Sequence, residues 1–69
     1  MKSIYIKPNG KRFEVLDAKK RNIGMVNGIH ILPMDFLSFD LKIVDDMIHI
    51  WSDYEFEIKT IKKTLIISF

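Results

Sequence analysis

Sixty-nine residues, 48% of them apolar, with eleven basic against nine acidic side chains, are enough for one small domain of nearly balanced charge. The chain has no cysteine, which excludes a disulfide framework and the thiolate zinc sites. No apolar run approaches the roughly 18 to 20 residues of a membrane-spanning helix, and Met1-Lys2-Ser3-Ile4-Tyr5 lacks the apolar core of a secretory signal. The expectation is a cytoplasmic protein with no membrane partner.

Apolar residues alternate with polar ones at period two along most of the chain, and β-branched and aromatic residues dominate, which predicts an all-β fold. In the first run Ile4 and Ile6 share one face while Ser3, Tyr5 and Lys7 share the other. Asn9-Gly10 suits a two-residue turn, and that loop length sets Ile6 opposite Phe13 and Ile4 opposite Val15. The stretch Asp17-Ala18-Lys19-Lys20-Arg21-Asn22 then reads as a loop or a single helical turn. A second Asn-Gly pair, Asn27-Gly28, predicts a hairpin between Ile23-Gly24-Met25-Val26 and Ile29-His30-Ile31-Leu32, although both of its faces are apolar. Pro33-Met34-Asp35-Phe36 begins a bend with room for one turn of 3₁₀ helix.

The C-terminal half extends the same grammar. Leu37, Phe39, Leu41 and Ile43 alternate with Ser38, Asp40 and Lys42, and a turn at Asp45-Asp46 opposes Ile43 to Ile48 and Leu41 to Ile50. A three-residue loop of Trp51, Ser52 and Asp53 sets Ile50 against Tyr54 and Ile48 against Phe56, whereas a two-residue loop would turn carboxylates inward. A turn at Lys62-Lys63 opposes Ile58 to Ile67 and Thr60 to Leu65. The expected core row is Phe39, Leu41, Ile43, Ile48, Ile50, Tyr54, Phe56, Ile58, Leu65, Ile67 and Phe69. About eight short strands in an antiparallel meander then form a closed or partly open barrel or a compact two-sheet sandwich.

No catalytic constellation stands out. His30 and His49 fall on the polar side of their strands without a third metal ligand, so no metal and no cofactor is expected. Glu55 and Glu57 share a strand face, but Lys42 and His49 are expected to lie across from them as ordinary cross-strand partners. The serines lack an activating context, and the Asn-Gly pairs are turns, not phosphate loops. The chain reads as a binding protein, not an enzyme.

Two surfaces are candidates for that binding. Residues 1–33 hold seven bases against two acids, and residues 35–57 hold seven acids against one base, so the halves are oppositely charged. The preferred reading is a protein-binding module in which Trp51, placed in an exposed loop, anchors a partner beside Asp45, Asp46 and Asp53. The alternative is a small β-barrel that binds a nucleotide or short single-stranded nucleic acid. Its basic loop would join Lys19, Lys20 and Arg21 to Lys11 and Arg12, with Tyr5 for stacking. Surplus apolar side chains predict a homo-oligomer, formed through Thr64–Phe69 unless that strand is covered on both sides within one chain. Heavy use of isoleucine and lysine with a single alanine, Ala18, points to AT-rich coding and so to a low-GC bacterium or its phage. A phage or mobile-element inhibitor or accessory factor is the corresponding expectation.

Overall fold

The computed structural model describes residues 2–36 and 38–69, so Leu37, expected at the start of a strand, lies outside the described residues. Among the described residues there are eight strands: β1 (Lys2–Asn9), β2 (Arg12–Leu16), β3 (Asn22–Val26), β4 (Gly28–Leu32), β5 (Asp40–Val44), β6 (Met47–Ser52), β7 (Glu57–Ile61) and β8 (Thr64–Ser68). They form a five-stranded sheet in the order β3-β2-β1-β6-β5 and a three-stranded sheet in the order β4-β8-β7. The all-β class of about eight strands stands as expected. The sheets do not close into a barrel.

Hydrophobic phase survives throughout the larger sheet. Ile4 and Ile6 of β1 pair with Ile50 and Ile48 of β6, and Ile6 pairs on its other side with Val15 of β2. These side chains face the smaller sheet, where they meet Leu65, Ile67, Phe56 and Phe69 in one buried cluster. Ile4, Ile6, Ile50 and Ile67 are fully buried and fix the centre of that core.

Turn chemistry is borne out in part. The turns at Asp45-Asp46 and Lys62-Lys63 hold both residues at positive φ, and they give the expected pairs Ile43 with Ile48, Leu41 with Ile50, Ile58 with Ile67 and Thr60 with Leu65. At the first hairpin the turn residues are Gly10-Lys11, because Asn9 pairs with Arg12 and Pro8 with Phe13. Only Gly10 has a positive φ there, as a type II′ turn requires of its first central residue. Ile6 therefore opposes Val15, a slip of two residues from the expected register that leaves every side chain on its expected face.

Two expected hairpins do not form. β3 pairs with β2 and not with β4, which pairs in parallel with β8. Asn27-Gly28 is a crossing between sheets: Gly28 lacks positive φ, and the Asn27 amide donates to the Lys63 carbonyl at 2.7 Å. Nor do β6 and β7 pair, because β6 already has β1 on one side and β5 on the other. The chain leaves β6 at Ser52, whose buried hydroxyl donates to the Ser38 carbonyl at 3.0 Å and accepts the Tyr54 amide at 3.1 Å. Tyr54 is consequently exposed and not in the core, and Trp51 lies in a strand and not in a loop.

Further corrections follow from how far the small sheet reaches. Leu41 and Ile43 have the inward phase but are exposed, because β5 is the last strand of the five-stranded sheet and the opposing sheet has only three strands. β8 is central, with Leu65 and Ile67 buried and Ile66 half-buried, so it offers no free edge for self-association.

Candidate ligand-binding face

The outward phase of the five-stranded sheet carries Tyr5 on β1, Lys42 on β5, and Met47, His49 and Trp51 on β6. Strand alternation aligns His49 and Trp51 on one side of β6, and cross-strand register sets Tyr5 directly opposite His49. The three rings stack. Tyr5 and His49 lie 4.2 Å apart and nearly parallel at 5°, and His49 and Trp51 lie 4.6 Å apart at 22°.

A lysine stands over each end of this column. Lys42, whose register partner is His49, places its ammonium 5.3 Å from the centre of the Trp51 ring. Lys20 reaches the same distance from Tyr5 at the other end. Its position is built by Asp17, whose Oδ1 accepts the amides of Lys19 and Arg21, each at 2.9 Å. Asp17 Oδ2 accepts Arg21 Nε at 2.8 Å, while the Lys20 amide donates to the Asp17 carbonyl at 2.9 Å. The loop so wound holds Lys20 at a φ of 63°. The amide and guanidinium of Arg21, together with the Lys19 amide, hold the Asp17 carboxyl below its ordinary range despite some desolvation.

Electrostatically the column is positive. Partial burial lowers the His49 pKa, and the charges of Lys42 and then Lys20 lower it further, so the imidazole is held neutral between two ammonium groups. Its Nε2 is buried without a hydrogen-bond partner, an orphaned polar atom in the middle of the column. The face therefore combines flat π surface with two adjustable cations.

The expected site residues are distributed as follows. Tyr5 and Lys20 come together, but Lys11 and Arg12 lie at the opposite end of β2 from Lys19 and Arg21, and five strand residues separate them by about 17 Å. The single basic patch does not form, and Arg21 is committed to Asp17. Trp51 and Asp53 lie near one end of β6, whereas Asp45 and Asp46 form the turn at its other end, again about 17 Å away. The acid beside Trp51 in register is Asp40. Glu57 does not face His49 or Lys42: it pairs with Ser68 across the smaller sheet and forms an ion pair with Lys59 at 3.3 Å.

His49 and Lys42 are the residues that sequence reasoning passed over. The signal available was phase, since His49 and Trp51 are two residues apart and Tyr5 shares the outward side of its own strand. What phase could not reveal was that β1 and β6 are neighbours.

Elsewhere, an open groove of about 660 Å³ runs beside β7 and the end of β8, lined by Met34, Phe56, Ile58 and Phe69 together with Glu55 and Glu57. Among the described residues no three histidine, aspartate or glutamate side chains gather to hold a metal ion, and no helix is long and apolar enough to cross a membrane. No protein-family model matches the chain, and no curated protein or solved structure matches it significantly.

Proposed function

We propose that this chain is a non-enzymatic binding protein whose ligand is a nucleotide or short single-stranded nucleic acid, taken on the outer face of the five-stranded sheet. The observation that carries the reading is the column Lys20, Tyr5, His49, Trp51, Lys42. An ammonium on an exposed ring contributes about 0.5–1 kcal/mol, whereas a stacked base contributes about 1–3 kcal/mol. A base therefore displaces a lysine from either end of the column, and the freed ammonium moves to the adjoining phosphate. Affinity then combines stacking with charge neutralisation.

Trp51 is the only tryptophan in the chain, so its fluorescence reports on the site without a label. Titration with oligothymidylate at low salt is expected to quench that fluorescence. For two to three phosphates neutralised, the logarithm of affinity should fall against the logarithm of salt with a slope of about −1.4 to −2. Lys20→Ala should weaken binding and flatten the slope, with the circular dichroism spectrum unchanged. Absence of quenching at low salt, or quenching indifferent to salt, overturns the reading.

A protein ligand is the second reading, with the chain acting as a phage or mobile-element inhibitor or accessory factor. It is favoured by the exposure of Leu32 at the end of β4 and of Met34 and Phe36 in the segment that follows it. A photo-reactive residue at position 36 that cross-links a host protein, with no response to the oligonucleotide, would support it over the first.

A further inference from the structure

We infer that β5 is a self-recognition edge, on which a second copy of this chain adds its own β5 antiparallel to form a continuous ten-stranded sheet. β5 has β6 on one side and, among the described residues, no strand on the other. Leu41 is 49% exposed and Ile43 73% exposed, although both lie on the side of the sheet that elsewhere forms the core. An edge strand that shows apolar side chains on its inward face is a template for another strand.

Hairpin geometry decides which backbone groups are free. Val44 and Met47 close the two-residue turn as a hydrogen-bonded pair, so Asp40, Lys42 and Val44 bond to β6, and the amides and carbonyls of Leu41 and Ile43 point to the open edge. Two-fold antiparallel pairing must therefore exchange bonds through residues 41 and 43. Centring the axis on Lys42 opposes lysine to lysine, which is unfavourable. Centring it on Leu41 opposes Leu41 to Leu41 of the second copy, and sets Asp40 of each copy against Lys42 of the other, twice by symmetry, with each Lys42 exchanging its exposed contact on Trp51 for that carboxylate. Asp40 has no ion-pair partner among the described residues and is free to take that role. Charge thus selects one register, and in that register the exposed Leu41 and Ile43 of both copies form one apolar row.

Two other edge strands, β3 and β7, are less suited. β3 is interrupted by a bulge opposite Val15 and Leu16. β7 also has an acid, an apolar residue and a base in succession, but its Glu57 and Lys59 already pair with each other, and its Ile58 is half-buried against the core.

Charge reversal on the full chain tests the register. Sedimentation equilibrium should show a dimer. Asp40→Lys or Lys42→Asp alone should raise the dimer dissociation constant by at least about tenfold, because each places two like-charged pairs across the interface. The double variant D40K/K42D should restore dimerisation. A Glu57→Lys variant should leave the constant unchanged, and circular dichroism should show each variant folded. A monomer at all concentrations overturns the inference, as does failure of the double variant to recover or sensitivity to Glu57→Lys in place of the β5 changes.

Discussion

Replacing Lys62-Lys63 by Asn-Gly is expected to stabilise the protein. The two lysines have φ of 50° and 60° in the turn where Ile61 pairs with Thr64, the geometry that asparagine and glycine favour. Left-handed backbone costs a residue bearing a Cβ about 1–2 kcal/mol. Glycine removes that cost at position 63 and asparagine reduces it at position 62, while the added freedom of glycine in the unfolded chain returns about 0.5–1 kcal/mol. The net gain is about 1–2 kcal/mol, and at about 4–8 °C per kcal/mol for a domain of this size the melting midpoint rises by about 4–16 °C. The Asn27 amide bonds to the backbone carbonyl of residue 63, so that link between the sheets survives the substitution.

Two controls isolate the backbone term. Asp45-Asp46 has φ of 50° and 64°, and its replacement by Asn-Gly should gain less, because aspartate tolerates the left-handed region better than lysine does. Gly10→Ala should run the other way and cost about 1 kcal/mol. Gly10 has a φ of 65° and nothing lies within 4 Å of an added Cβ, so that cost is conformational and not steric. Thermal and urea melts followed by circular dichroism measure all three. An unchanged or lowered midpoint for K62N/K63G, with an unchanged urea dependence, would refute the assignment of strain to this turn.

Acidification should destabilise the protein through His49. Its folded pKa lies below the ordinary 6.5, so as pH falls past that value the unfolded chain takes up a proton that the folded protein resists, and stability is lost until the folded pKa is passed. Melting midpoints of His49→Phe across the same window should show a shallower decline than those of the natural chain; parallel declines would assign the effect elsewhere. Ser52→Ala should cost about 0.5–1.5 kcal/mol per bond in urea melts, since it removes the two part-buried hydrogen bonds that the hydroxyl makes with the Ser38 carbonyl and the Tyr54 amide. A neutral result would mean that water replaces both bonds.

Within-strand phase was legible because it depends only on the order of residues. Alternation put Ile4, Ile6, Val15, Ile50, Leu65 and Ile67 inside and Tyr5 and His49 outside. Adjacent-pair turns were legible where both residues take left-handed backbone, as at Asp45-Asp46 and Lys62-Lys63. The same reasoning overreached at Asn27-Gly28 and at Trp51-Ser52-Asp53, where a plausible local reversal competed with a partner remote in sequence.

The candidate site belongs almost wholly to that second category. Tyr5 stacks on His49, more than forty residues away, because β1 and β6 are neighbours in one sheet, and no local rule links them. Lys20 reaches Tyr5 because Asp17 winds its loop, while Lys11 and Arg12, equally basic, are carried to the far end of β2. Sequence by itself determined which side chains are greasy, which way each strand presents them and where the tightest turns fall, since these follow from covalent order and local backbone energetics. Which strands lie side by side, where the smaller sheet stops short and leaves Leu41 and Ile43 uncovered, and which rings and cations meet were decided only by tertiary structure, because burial is a property of the assembled sheets and not of any one segment.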